Sequence, residues 1–317
     1  MKNRAILSDG TAIPVILPSR YYESCTKGMN GERTYGRFSV ASMVDFISET
    51  GFDGIDVSLE SIVSYGDYDD SWRSVYYNLA NRAASAGLIL PVCHLPFIMP
   101  DPDDAIAMKR FSASVRQGID AAGFMNIKEA VIHPIVRHSS RCGYDEWVRR
   151  NMEFLSPLCE KAAIKGISLA IENMAGIPYR DGSGNPVKGD IAYGSRAEDV
   201  CLLADKLHTG ICWDFGHANL TGLCQSAELS VVGDRLSVLH IHDNDGVHDL
   251  HLPPLSEGGN VDWDDAAEGL RAIGFTSKKG RCLNFELKTS DLSPDRDVRL
   301  AHAAQALSSA MKFARKL

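Results

Sequence analysis

No stretch of this 317-residue chain approaches the roughly 20 consecutive apolar residues of a membrane span, which argues against helical spans. The first ten residues, Met1 to Gly10, lack an apolar segment followed by a small-residue cleavage site, so a cytoplasmic location is expected. Eight cysteines are scattered singly and no two form a C-x-x-C pair. That excludes the commonest zinc-knuckle and redox patterns and leaves buried, reduced thiols as the expectation for Cys93, Cys159, Cys201 and Cys212. Basic excess is missing too. A formal net charge of −8 offers no broad surface for a phosphate backbone, so no nucleic-acid partner is expected. No low-complexity tract, repeat or linker divides residues 1–317, which are expected to form one domain.

What is present is an alternation of short apolar runs with longer amphipathic ones. Strands are predicted at 12–17, 54–59, 89–94, 129–133, 168–172, 210–214, 239–242 and 282–286. Between them lie helix signals: Ser39 to Thr50 with Gly51 as the stop, Ser71 to Gly87, about 102–122, 144–165, 195–207, and 294 to the end. An open doubly wound sheet would place a Gly-rich phosphate loop after the first strand, and none is there. The fold class expected is therefore α/β, a single (β/α)8 TIM barrel.

Four of the runs end in a side chain able to bind metal or move a proton: Glu172, Asp214, His242 and Glu286. In a parallel barrel all C-terminal strand ends converge at one rim, and three carboxylates meeting there need a cation. Alternation along a strand pairs His240 with His242 and Asn284 with Glu286. The later member of each pair is expected to ligate, and the earlier, one layer deeper, to support it by hydrogen bonds. His94 and His133 end strands three and four. His217 lies one helical turn past Asp214, and Asp249 and His251 share a short polar loop.

With these residues in place the chain resembles the xylose isomerase-like TIM barrel superfamily, which includes sugar and sugar-phosphate isomerases and epimerases and also endonuclease IV. The motifs that carry the resemblance are Ile171-Glu-Asn-Met-Ala-Gly176, Asp214-Phe-Gly-His217, His242-Asp-Asn-Asp245, Asp249-Leu-His251 and Ser256-Glu-Gly258 before Val261-Asp-Trp263. The resemblance implies a divalent ion held by Glu172, Asp214, His242 and Glu286, with Glu172 and Glu286 as catalytic acid/base groups. It implies a substrate contact from His217, and His94, His133, Asp249 and His251 at the same rim are expected to bind substrate with it. Endonuclease IV uses nine ligands for three zinc ions, and residue types suitable for all nine are present. Two departures weigh against it: the segment after Gly176 lacks the Gln-Gly of the nucleases, and Phe215-Gly216 stands where they carry Thr-Cys.

The expected function is a metal-dependent sugar or sugar-phosphate isomerase or epimerase working through an enediolate. The alternatives are a three-zinc phosphodiesterase acting on apurinic sites, and a dehydratase of keto-inositols or keto-sugars that starts with the same proton abstraction. One ion, Mn²⁺ or Zn²⁺ with Co²⁺ and Mg²⁺ also suited, fits the first reading, and up to three Zn²⁺ the second. Arg20, Arg137 and Lys288 are candidates to meet a phosphate. Phe97 and Phe215 are candidates for an apolar wall, whereas Trp213 has the parity to pack between strand and helix. The resemblance leaves a homo-oligomer open.

Overall fold

A computed structural model describes residues 4–19, 40–60, 72–177, 182–183, 187–278, 280–288 and 295–317. The expected caps at Ser39 and Ser71, and Arg20, fall outside these residues. Eight parallel strands form one sheet: β1 (Val15–Pro18), β2 (Gly54–Ser58), β3 (Val92–His94), β4 (Glu129–Ile132), β5 (Ser168–Glu172), β6 (Gly210–Asp214), β7 (Leu236–His240) and β8 (Leu283–Asn284). From β1 to β7 each strand pairs with the next in chain order, and β8 pairs with β1. Ile241 N donates to Asn284 O at 2.9 Å, which joins β7 to β8 and closes the ring.

Outside the strands run α1 (Val40–Thr50), α2 (Trp72–Ser85), α3 (Ala105–Phe124), α4 (Tyr144–Ile164), α5 (Ala197–Leu207), α6 (Phe215–Leu220), α7 (Gln225–Val232), α8 (Trp263–Ala272) and α9 (Arg296–Ala314). None of the described helices is long and apolar enough to cross a membrane. Two-residue alternation divides the strands into two packing surfaces. One parity, including Leu17, Val57, Leu169, Ile171, Ile211, Trp213 and Leu239, joins the large core beneath the helices. The other parity fills the lumen with a small separate layer: Ile16, Val92, Val131, Ala170, Cys212 and Val238, with Cys282 packed against it. At the level of Ile16, β2 contributes Gly54. A Cβ there would lie 2.3 Å from the Ile89 carbonyl, so only glycine allows that close pass of the chain.

Several strand limits depart from expectation: β3 begins at Val92 rather than at residue 89, β2 and β4 each end one residue early, leaving His133 just past β4, and three further differences bear on the site. The first run breaks at Pro14, which has no N–H to give a ladder. Ala12–Ile13 pairs antiparallel with Ala5–Ile6, and only Val15 onward enters the barrel. In β7 the strand begins three residues earlier than expected and stops at His240, leaving His242 in the following loop. Glu286 likewise lies two residues beyond the end of β8.

Candidate metal centre at the barrel mouth

The lumen's apolar layer determines what stands above it. Two residues beyond Val92, Val131, Ala170, Cys212, Val238 and Cys282 come His94, His133, Glu172, Asp214, His240 and Asn284. Two beyond Gly54 comes Asp56. One period of strand alternation thus converts an apolar floor into a ring of titratable groups. Asp214 is in direct register with His240 across β6 and β7, which puts these two side chains on one tier.

Ligand-type atoms of Glu172, Asp214, His240 and Glu286 all lie within 4.8 Å of one another. His240 Nδ1 is 3.1 Å from Glu172 Oε1, 3.6 Å from Glu286 Oε2 and 3.7 Å from Asp214 Oδ2. The carboxylate cluster thus includes His240, whereas His242, the expected ligand, meets it through Asp214. The reason is the strand limit: with β7 ending at His240, His242 is one step further out. His242 Nε2 pairs with Asp214 Oδ2 at 3.0 Å, and its ring stacks on His251 at 3.9 Å. His242, His251 and Glu286 form a second group of close ligand atoms, and His94, Glu172 and His240 a third.

The remaining predicted residues converge on the same place. His94 Nε2 and His133 Nε2 lie 3.2 and 3.1 Å from Glu172 Oε2. His133 is steadied from behind, because Ile135 in the loop after it is held by Asn151 and Trp147 of α4. His217 Nδ1 is 3.4 Å from Glu172 Oε1, and its backbone N–H donates to Asp214 Oδ1 at 2.6 Å. Asp214 is thus the N-cap of α6, which fixes one carboxylate oxygen and leaves the other for the cluster. Asp249 pairs with His251 at 2.9 Å and with Lys288 at 3.2 Å. Asn284 donates to Asp56 at 2.7 Å. Arg137 is tied to Asp103 by an ion pair of 2.6 Å. Phe97 lies 5.0 Å from His94, but Phe215 is wholly buried and packs on Trp263 at 5.6 Å, so it cannot serve as a substrate wall. Trp213 packs as expected, its indole N–H reaching Gln225 of α7 at 3.0 Å.

Three structural residues carry no role in the sequence reading. Asn173 accepts from Asp214 N–H at 2.6 Å and donates to Asp214 O at 3.0 Å, locking the ends of β5 and β6 together. Asp243 accepts from Trp263 Nε1 at 2.7 Å, Val261 N at 3.0 Å and Leu255 N at 3.2 Å, so it organises the loop after β7 and is saturated by donors. Asp56 is a further acid in the lumen, 2% exposed. Its signal was its parity with Gly54. Two glycines in the motifs have a steric cause: a Cβ on Gly216 would lie 1.9 Å from His242, and one on Gly259 2.3 Å from Asp243. His251 adopts φ 52°, a costly left-handed conformation for this residue, and its Nδ1 pairs with Glu286 O at 2.7 Å.

Like charges about 4 Å apart repel by roughly 4 kcal/mol at an effective dielectric of 20, so the cluster needs positive charge. Histidine protons supply some of it. Burial alone would raise the carboxyls of Glu172 and Glu286, but the facing imidazoles, His240 foremost, hold both below the ordinary range. Asp214 is lowered likewise, against burial, by His217 and His242. Burial opposes charge on the imidazoles, yet Cys212 and then Glu172 and Glu286 raise His240 well above its usual value, and Asp214 and Glu172 raise His217 to about 9. His133 and His251 go the other way, burial lowering both. Three ionised carboxylates and an imidazole converging from four strand ends are a donor set that suits a hard or borderline divalent cation.

A closed barrel of parallel strands, with acids and imidazoles gathered at one rim, defines a (β/α)8 protein. Residues 44–317 match the family described as the xylose isomerase-like TIM barrel, and the chain belongs to that family. Over 244 residues it is 29% identical to the uncharacterized protein MJ1311 of Methanocaldococcus jannaschii, covering 75% of this chain and 76% of that one. In fold it is similar to a D-tagatose 3-epimerase-like protein, with TM-score 0.69 and 20% identity over 95% of this chain and 97% of the other. A D-psicose 3-epimerase crystallised with D-fructose gives TM-score 0.64 and 17% identity over 93% and 97%. The 3-keto-D-glucoside 4-epimerase YcjR of E. coli gives 0.58 and 16% over 89% and 97%.

Proposed function

We propose that this chain is a divalent-metal-dependent sugar or sugar-phosphate isomerase or epimerase, its ion held by Glu172, Asp214, His240 and Glu286. The observation that carries the reading is the meeting of two glutamates, Glu172 and Glu286, with Asp214 and one imidazole inside 4.8 Å. The names of the fold neighbours, a D-psicose 3-epimerase and a 3-keto-D-glucoside 4-epimerase among them, favour sugar as the substrate class. An ion bound there, Mn²⁺, Co²⁺, Mg²⁺ or Zn²⁺, supplies Lewis-acid polarisation of a carbonyl and its neighbouring hydroxyl.

The chain's own groups do the rest. Glu172 and Glu286 are both ionised and flank one centre, so one removes the proton from the carbon beside the carbonyl and the other returns it. His94 and His133 hold Glu172 Oε2 from one side, while His217 and His240 approach Oε1 from the other. Glu286 is the more exposed of the pair, its side chain 11% accessible against 1% for Glu172, which favours it as the group that exchanges its proton with solvent. Lys288, beside Asp249, is a cation near the rim that could meet a phosphate on the substrate.

Replacing Glu286 by Gln should abolish deuterium incorporation from D₂O into a ketose substrate while circular dichroism stays native. Undiminished incorporation would remove Glu286 from the acid/base role. A second reading, the three-zinc phosphodiesterase, is favoured by the additional group His242, His251 and Glu286 with Asp249 alongside. About three zinc ions per chain in the purified protein, with turnover of an abasic-site DNA and none of ketoses, is the outcome that selects it. Loss of water from a keto-sugar, seen by mass spectrometry of the product, selects the dehydratase.

A further inference from the structure

We infer that Asn173 is a positioning residue that holds the Asp214 carboxylate in place for an ion; the inference rests on the metal-centre reading above. Asn173 is wholly buried and is the first residue beyond β5. The ladder between β5 and β6 stops at Glu172 opposite Cys212, two residues short of Asp214. Past that point the Asn173 side chain takes over from the main chain. Its Oδ1 accepts from Asp214 N–H at 2.6 Å, and its Nδ2 donates to Asp214 O at 3.0 Å. A carboxamide has the donor and acceptor of a peptide group, so it satisfies two buried main-chain groups that would be costly to leave alone.

The main chain of Asn173 completes the circuit. Its carbonyl oxygen has no proton to give, so His217 Nδ1, 2.9 Å away, is the donor. His217 in turn gives its backbone N–H to Asp214 Oδ1 at 2.6 Å. Asn173, Asp214 and His217 are thus joined pairwise, in a closed triangle drawn from the ends of β5 and β6 and the first turn of α6. Oδ1 of Asp214 is held inside that triangle, and Oδ2 is left 3.0 Å from His242 and 3.7 Å from His240. Where Oδ2 stands depends on the Asp214 main chain, and the carboxamide ties that main chain to the strand bearing Glu172. No other side chain of this size does both jobs: an ionised aspartate accepts without donating, and leucine does neither.

The test measures Co²⁺ binding by competition with a chromogenic chelator, together with the visible absorption spectrum of the Co²⁺ protein and the thermal midpoint of the metal-free one. Asn173→Ala should raise the Co²⁺ dissociation constant about 10-fold, the lower end of the usual effect of losing an outer partner, and shift the visible bands. Asn173→Ser, which leaves room for a water to satisfy the Asp214 main chain, should act in the same direction with a smaller change. It carries the test should Asn173→Ala not fold. A side chain that only satisfies buried main-chain groups would lower the midpoint and leave constant and spectrum unchanged. Dissociation constants within twofold of wild type and unaltered bands in a folded variant overturn the inference alone. Wild-type protein that takes up no Co²⁺ overturns the metal-centre reading with it.

Discussion

The deep tier and the rim of this site are built by different means. Glu172, Asp214 and His240 lie on the last residues of β5, β6 and β7 and are at most 1% exposed, so their separation is set by strand register and barrel stagger. His242, Asp249, His251 and Glu286 lie beyond strand ends, and loop devices place them. These are the Asp243 clamp, the glycine contact at 216, and a strained His251 backbone. Register is shared by every strand pair and is hard to perturb locally, whereas each loop device depends on a few bonds. The deep tier is therefore suited to holding a fixed charge, and the rim to adapting to a substrate.

The comparison breaks most sharply on the two histidines. His240→Ala should weaken Co²⁺ or Mn²⁺ binding by more than about 100-fold, beyond what loss of a supporting partner produces. His242→Ala should change it by about tenfold or less. Plasma-emission metal analysis after gel filtration reads both, and the reverse order of effects would move the centre out to the rim.

A smaller effect separates the tiers by pH. Without an ion, Cys212, Glu172 and Glu286 raise His240, and Asp214 and Glu172 raise His217, against burial, whereas burial lowers His251. An ion entering the deep tier must displace at least one proton, so its affinity should rise about tenfold per pH unit per proton displaced. Calorimetry in two buffers of different ionisation enthalpy counts those protons, and a count of zero at pH 7 would contradict the charge pattern. Metal-free stability follows from the same shifts. A raised histidine stabilises fully below its unfolded value near 6.5, and that contribution is lost as pH climbs through about 9 for His217. The lowered carboxyls of Glu172, Asp214 and Glu286 contribute above the ordinary carboxylate range and fail as pH drops. The thermal midpoint of the metal-free protein should thus decline from pH 6.5 to 9.

The barrel was legible because eight apolar runs, each followed by helix signals, leave few other topologies. The residues of the site were legible as a set for a related reason: strand-end polar residues converge in any parallel barrel. What sequence did not convey was tier. Choosing between His240 and His242 needs the end of β7, and strand ends depend on pairing with β6 and β8, which a single strand's pattern does not contain. Lumen parity places His240, like Glu172 and Asp214, two residues past the apolar layer. Asp56 was missed because an acid inside Gly54-Ile-Asp-Val looks like a polar outward residue until the lumen face is known. Asn173 and Asp243 form bonds across long stretches of chain, for which no local signal exists.

The least conspicuous expectation concerns thiols. Cys212 belongs to the apolar layer immediately beneath Asp214, fully buried, and burial pushes its thiol well above the ordinary value. Cys282 beside that layer is pushed to about 12, whereas Cys224 before α7 is exposed. Thiolate, not thiol, attacks a disulfide reagent, so at pH 8 burial and protonation act together against the lumen cysteines. Among the described cysteines, Cys224 should react first with an aromatic disulfide reagent, and Cys212 only when the barrel opens. Peptide mapping of the labelled protein reads the order. If Cys212 labels at the rate of Cys224, water and reagent reach the floor of the deep tier. That tier would then be neither dry nor rigid, and its distinction from the rim would vanish.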